Sequence, residues 1–171
     1  MEKVPDHEAI TWYSPIEVQP KPENPKDIRV SLEVRLLNKS MLRTRNVQAP
    51  ITEDFVTEFR DCKVFRKLDL NHGYHQFCLD PESLKTMTFS TPWGNYRYKR
   101  LAFGGVNSQV LFDVEIANII SGIPKVLNNR DDIIVDGRDW DVQNKNLGQL
   151  LQRLEDHNLT LRHDKCQFGK A

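Results

Sequence analysis

Leu127-Asn128-Asn129-Arg130-Asp131-Asp132-Ile133-Ile134-Val135 sets two adjacent carboxylates between two short apolar runs. Such runs, parted by a few polar residues, read as a hairpin with Asp131 and Asp132 at or just past its turn. Some sixty residues earlier, Val64-Phe65-Arg66-Lys67-Leu68-Asp69-Leu70 reads as a buried strand that ends on a third carboxylate, Asp69. If the two strands are neighbours, three carboxylates converge. Like charges a few ångströms apart repel by roughly 4 kcal/mol per pair at an effective dielectric near 20, so an ionised cluster persists only beside cations. Hard oxygen ligands and phosphate chemistry then point to Mg²⁺. The plain alternative is a solvated turn, since turns favour Asp.

The 171 residues, 39% of them hydrophobic, suit one domain with a real core. Lys and Arg number 24 and so do Asp and Glu, so no global charge argues for a polyanionic partner and any such contact must be local. Three cysteines without framework spacing suggest a reducing compartment. The first residues lack the apolar core of a signal peptide and no run is long enough to span a membrane, so an intracellular, cytoplasmic protein is expected.

Five of the nine prolines fall in residues 1–27, which predicts an extended arm anchored by Trp12, Tyr13 and Ile16. Ile28 to Arg35 alternates apolar with polar, the mark of a strand exposing Arg29, Ser31, Glu33 and Arg35. From Pro50 a helix is predicted, with Thr52 as cap and Ile51, Phe55, Val56 and Phe59 on one face. Asn71-His72-Gly73-Tyr74-His75 reads as a turn aiming backbone N–H groups at a point beyond Asp69, a phosphate cradle. Short strands follow at 76–79, 86–90 and 96–101, with turns at Asp80-Pro81 and Pro92 to Asn95. Phe103-Gly104-Gly105 is a break before a helix capped by Asn107 or Ser108, with Val110, Leu111, Val114, Ala117 and Ile120 on its apolar face. After the hairpin, Asp139 caps a helix with a stripe of Leu147, Leu150, Leu151 and Leu154, and 159–162 reads as a strand. The fold class is therefore α+β, a mostly antiparallel sheet with helices on one face.

Other groupings are weaker. His72, His75 and Cys78 lack a fourth ligand for zinc, Cys62 and Cys78 read as small buried hydrophobes, and Cys166 beside Lys165 reads as structural. Lys21, Lys26, Arg29, Arg35, Lys39, Arg43 and Arg45 precede the acidic trio and would supply phosphate-binding cations if folded over it.

The run Lys67-Leu68-Asp69-Leu70-Asn71-His72-Gly73-Tyr74-His75-Gln76, then Thr88 to Thr91, Tyr96 to Gly104, Asp131 to Val135, and Leu159 to Leu161 with Lys165 to Gly169, resembles the reverse transcriptase domain of gypsy-type LTR retrotransposons. Ser14-Pro15-Ile16, Pro20-Lys21-Pro22 and Ile28 to Lys39 are similar to that family's fingers. The resemblance implies a polymerase-type fingers-and-palm fold: a proline-rich arm over 1–27, fingers over 28–66, and palm over 67–171 with a fingers insertion at about 80–101. It implies RNA-directed DNA polymerase activity on an RNA or DNA template with primer and dNTPs. Asp69, Asp131 and Asp132 would be the catalytic residues and hold two Mg²⁺, with Mn²⁺ a substitute. Lys21, Arg29, His72, Gly73, Tyr74, Phe103 and Gly104 would bind the nucleotide, Tyr74 as the ring that excludes a 2′-hydroxyl, and Lys165 would lie where a proton donor to pyrophosphate has been suggested.

The chain departs from the family pattern at Asn129 and Arg130 before the acidic doublet, at Ala102 before Phe103-Gly104, at Ser108-Gln109, at Asp113 and at Glu33. It ends before any thumb or RNase H segment, which leaves the remaining domains of a polyprotein as expected partners. The competing reading is a catalytically weak or silent fragment kept as a nucleic-acid or protein binding module.

Overall fold

The computed structural model describes residues 1–21, 24–44 and 60–170, with side chains through Phe168. The helix expected from Pro50, together with Arg45 and Pro22, lies outside the described residues. In chain order the strands are β1 (Glu2–Lys3), β2 (Ile16–Lys21), β3 (Asn24–Leu32), β4 (Val64–Asp69), β5 (Thr88–Thr91), β6 (Gly94–Arg97), β7 (Val126–Asn129), β8 (Asp132–Gly137) and β9 (Gln167–Lys170). The helices are α1 (Arg35–Ser40), α2 (Pro81–Thr86), α3 (Ser108–Ile120) and α4 (Trp140–Asp156). The chain divides into two units, one of Met1–Thr44 with Phe77–Ser108 and one of Arg45–Gln76 with Gln109–Ala171.

In the first unit β1, β6 and β5 form one sheet and β2 pairs with β3 in a second. Its core is Leu32, Val34, Leu37, Met87, Phe89, Tyr98 and Ala102, against which Trp12 and Ile16 pack, whereas Tyr13 stays exposed. β1 is tied down by Arg97, whose Nε lies 2.7 Å from Glu2 Oε1 and Nη1 2.5 Å from Glu8 Oε1. The strand expected over 28–35 instead begins at Asn24 and stops at Leu32, and Arg35 opens α1. Only a single bridge, Cys78 to Arg100, remains of the strand expected at 76–79. Asp80-Pro81, expected as a turn, starts α2: the Asp80 carboxylate accepts from the N–H groups of Glu82 and Ser83, and Pro81 sits in the first turn, where its missing N–H costs nothing.

In the second unit four antiparallel strands run β7-β8-β4-β9. Register divides the sheet into two faces. Val64, Arg66 and Leu68 of β4 share one with their partners Gly137, Val135 and Ile133 of β8. Arg66 donates to Asn144 Oδ1 at 2.8 Å and lies over the Trp140 ring, so α4 covers this face. Asn128, opposite Ile133, reaches Asp113 at 3.2 Å, which puts α3 on the same side. Leu68, Ile133, Phe112, Ile116 and Leu150 are fully buried here; each is worth roughly 1.5–3 kcal/mol of apolar transfer. The other face carries Phe65, Lys67 and Asp69 beside Asp136, Ile134 and Asp132.

Of the face expected for α3, Ile120 is buried, Val110 and Val114 are half-buried, and Leu111 and Ala117 are exposed; Phe112, Ile116 and Ile119 turn inward in their place. α4 keeps its expected cap, Asp139, but buries Gln143 and Asn146 with Leu150 and Leu154 and leaves Leu151 exposed. The strand expected at 159–162 is one bridge, Leu161 to Leu70, and β9 was not anticipated as a strand. Among the described residues no helix is long and apolar enough to cross a membrane.

Candidate active site

β7 and β8 are joined by two residues, Arg130 and Asp131, with Asn129 opposite Asp132. Arg130 takes φ 58°, the left-handed region that tight hairpin turns demand and that glycine fills without strain. Asp131 is the second turn residue and Asp132 opens β8. Asp69 closes β4 directly opposite Asp132, so their side chains leave the sheet on the same face.

The electrostatics follow from that register. The Asp131 carboxyl is pushed above the usual carboxylate range by loss of solvent and by the negative charges of Asp132, Asp69 and Asp113, against the pull of Arg130. Asp132 has found a cation: Lys67 Nζ stands 2.7 Å from Asp132 Oδ2, and this bond holds the Lys67 ammonium above its ordinary range. The lysine is 43% exposed, so the pair is worth no more than about 1 kcal/mol.

Among the described residues no three His, Cys, Asp or Glu side chains already stand grouped as metal ligands. The donor chemistry nonetheless fits a hard divalent ion: carboxylate oxygens on paired strands, mutually repelling, with one already drawn to a positive charge.

Beyond Asp69 the chain is held by the 159–166 segment. Arg162 N–H donates to the Asp69 carbonyl at 2.8 Å, and Asp69 N–H donates to Cys166 Sγ at 3.4 Å. Lys165 is exposed in the short turn between them, its N–H bonded to the Arg162 carbonyl. Gln76 clamps the following turn, donating to the carbonyls of Asn71 and Thr160 at 2.8 and 3.0 Å and accepting from Thr160 N–H at 2.6 Å. Within it His72 adopts φ 50°, and its carbonyl accepts from His75 N–H. A Cβ on Gly73 would stand 3.1 Å from Phe112 Cε2, which accounts for glycine there.

Tyr74 is buried, its ring stacked on Phe112 at 4.7 Å and its hydroxyl bonded to Gln109 Oε1. Burial, then the charges of Asp131 and Asp113, push the phenol up to about 12. Gln109, Asp113, Asn128, Gln76 and Lys67 went unassigned from sequence. The signal for two of them was their departure from the family pattern at 109 and 113.

The remaining candidates lie in the first unit. Lys21 pairs with Asp27 at 3.6 Å on the β2–β3 hairpin, and Arg29, on the same hairpin, lies over the Phe103 ring. Gly104 takes φ 88° and its carbonyl accepts from Asn38 Nδ2 at 2.9 Å. Of the cysteines expected to be buried, Cys78 is exposed and Cys62 is half-buried. The Cys62 thiol donates to Asp136 at 2.9 Å and is pushed up to about 11, first by burial.

A hairpin with carboxylates at its tip, a neighbouring strand ending on a third, and two helices behind one face define the fingers-and-palm class of polymerase fold. Solved structures agree. The native protease-reverse transcriptase of Prototype Foamy Virus superposes with a TM-score of 0.80 at 25% identity, over 92% of this chain and 21% of that one. The foamy viral enzyme in complex with an RNA/DNA hybrid has the same fold, with a TM-score of 0.79 at 22% identity, over 91% of this chain and 21% of that one. The chain belongs to the family described as reverse transcriptase (RNA-dependent DNA polymerase), whose pattern matches residues 19–171.

Its relatives include retrovirus-related Pol polyproteins of gypsy-type elements from Drosophila melanogaster. That of transposon 412 is 31% identical over 98% of this chain and 14% of its own length, and that of transposon 297 is 30% identical over 96% and 15%. The chain thus spans about a seventh of the relatives it matches.

Proposed function

We propose that the chain is the nucleotidyl-transferring part of a retroelement RNA-directed DNA polymerase, adding dNTPs to a primer 3′-hydroxyl on an RNA or DNA template in the cytoplasm. In this reading the second unit serves as palm and the first as fingers, and further polyprotein domains complete the grip on the duplex. Asp69, Asp131 and Asp132 would hold two Mg²⁺, with Mn²⁺ as a substitute. When bound, the ions would activate the hydroxyl and stabilise charge on the α-phosphate and the leaving pyrophosphate. His72, Gly73 and Tyr74 would line the triphosphate and sugar, Lys21, Arg29, Phe103 and Gly104 would contribute from the fingers, and Lys165 would offer a proton to pyrophosphate. The observation that carries the reading is the register of Asp69 against Asp132 with Asp131 on the adjoining turn.

Primer extension on poly(rA)/oligo(dT) with Mg²⁺ tests it. The unaltered chain is expected to extend with low processivity, because backbone contacts supply most of the affinity for a duplex. Asp131→Asn is expected to reduce extension by roughly a hundredfold or more, as losing a group that stabilises transition-state charge does. Duplex binding without any extension by the unaltered chain would instead favour a binding module, a role to which Arg130 beside the doublet lends itself.

A further inference from the structure

The least expected feature of the second unit is a polar chain running from the carboxylate hairpin to the Tyr74 ring. Asn128 of β7 donates through Nδ2 to Asp113 Oδ1 at 3.2 Å. Gln109, one helical turn before Asp113 on α3, donates through Nε2 to the same oxygen at 2.9 Å. Its other end, Oε1, meets the Tyr74 hydroxyl.

The direction of each bond is forced. An ionised Asp113 only accepts, so Gln109 must turn its NH₂ towards it; the amide carbonyl then faces Tyr74, whose hydroxyl must donate. Asn128 likewise commits its NH₂ to Asp113 and leaves Oδ1 buried without a partner among the described residues. The ring edge is thereby held by α3 while its face lies on Phe112, which also crowds Gly73. Tilting the ring about Cα–Cβ would break the bond to Gln109 and the stack together.

We propose that Asn128, Asp113 and Gln109 are positioning residues that lock the Tyr74 ring and so set discrimination between deoxyribo- and ribonucleoside triphosphates. This rests on the reading in which Tyr74 lies beneath the incoming sugar. A ring held at hydroxyl and face cannot yield to a 2′-hydroxyl, whereas a ring that has lost the Gln109 bond tilts more easily. Asn128 lies on β7, three residues before Asp131, so the same chain of bonds ties the ring to the strand that leads into the turn bearing Asp131.

Incorporation of dTTP and UTP by the full chain on poly(rA)/oligo(dT) with Mg²⁺, resolved into kcat and KM, is the test, with Tyr74→Val as the control for the gate. Gln109→Leu and Asp113→Ala should each lower the preference for dTTP about three- to tenfold, the worth of one net hydrogen bond. The change should appear as a lower KM for UTP. Asp113→Asn, whose carbonyl still accepts both bonds, should restore the preference to within about twofold.

In metal-free protein with labelled tyrosine, three-bond NMR couplings across Tyr74 Cα–Cβ should report one fixed χ1 rotamer in the unaltered chain and in Asp113→Asn, and averaging among rotamers in Gln109→Leu. If Tyr74→Val relaxes the preference while Gln109→Leu and Asp113→Ala keep it, or if the χ1 couplings of Tyr74 are the same in all, the relay is refuted and the gate reading stands. If Tyr74→Val leaves the preference intact, or the unaltered chain incorporates neither nucleotide, the gate reading fails and the relay with it.

Discussion

Asp131 concentrates the tension in the candidate site, since it sits on an exposed turn yet faces three negative neighbours. A carboxyl whose folded pKa is raised holds its proton more tightly in the fold than in the unfolded chain. Its contribution to stability is therefore present at low pH and is lost as pH rises through the raised value. Without metal, Asp131→Asn should consequently melt about 1–3 °C higher than the unaltered chain at pH 7, and the gap should close as pH falls through the carboxylate range. Thermal denaturation across pH in a chelator measures this, and a lower melting temperature at pH 7 would contradict it. The carboxylate proposed to hold metal is thus one the bare fold is better without. Its identity was legible from the doublet and its flanks. Lys67 as partner of Asp132 was not, because a diagonal cross-strand contact depends on register, which no local pattern in β4 specifies.

At the scale of the element, legibility followed how one-sided each segment is. α4 has a cap and a leucine stripe and was placed well, although Gln143 and Asn146 entered its buried face. α3 carries apolar residues around most of its circumference, so spacing found the helix but could not choose between Leu111 and Phe112. Six residues of α2 are too short for periodicity to speak, yet Asp80 followed by Pro81 is a capping signal that a turn reading overlooked. β3 misled in another way: Ile28 is 60% exposed on a two-stranded ribbon, so alternation marked a strand without marking burial. The junction of β8 with α4 rests on one residue. A Cβ at Gly137 would fall 2.6 Å from the Gln143 nitrogen, 2.7 Å from its Cβ and 2.8 Å from its Cα, all on the first turns of α4. Gly137→Ala should cost about 3 kcal/mol by overpacking; denaturant unfolding with an unchanged slope and a lower midpoint is the expected result.

Across the whole molecule, neither unit is one continuous piece of chain. The core of the first draws Leu32, Val34 and Leu37 from one segment and Met87, Phe89, Tyr98 and Ala102 from another. A reading that proceeds along the chain divides it by composition, setting the proline-rich arm off at residue 27, and cannot see a core whose two segments, ending at Leu37 and resuming at Met87, lie about fifty residues apart. β1 is the sharpest case, a two-residue strand that no propensity would nominate, held by Arg97 to Glu2 and Glu8. Arg97→Ala should release it at a cost of about 1–2 kcal/mol. Hydrogen exchange reads this directly: the Val4 amide, bonded to the Asn95 carbonyl at 2.9 Å, should lose protection while amides of β4 and β8 keep theirs.

The position of β4 also has a consequence for synthesis. Lys67 finds one backbone neighbour at Ile134 and Phe65 finds another at Lys170. A ribosome delivering the chain from its amino end therefore releases this strand long before either flank exists, with both rows of amides and carbonyls open to any other nascent chain nearby. Until the last strand has left the exit tunnel, keeping β4 single falls to chaperones rather than to the fold.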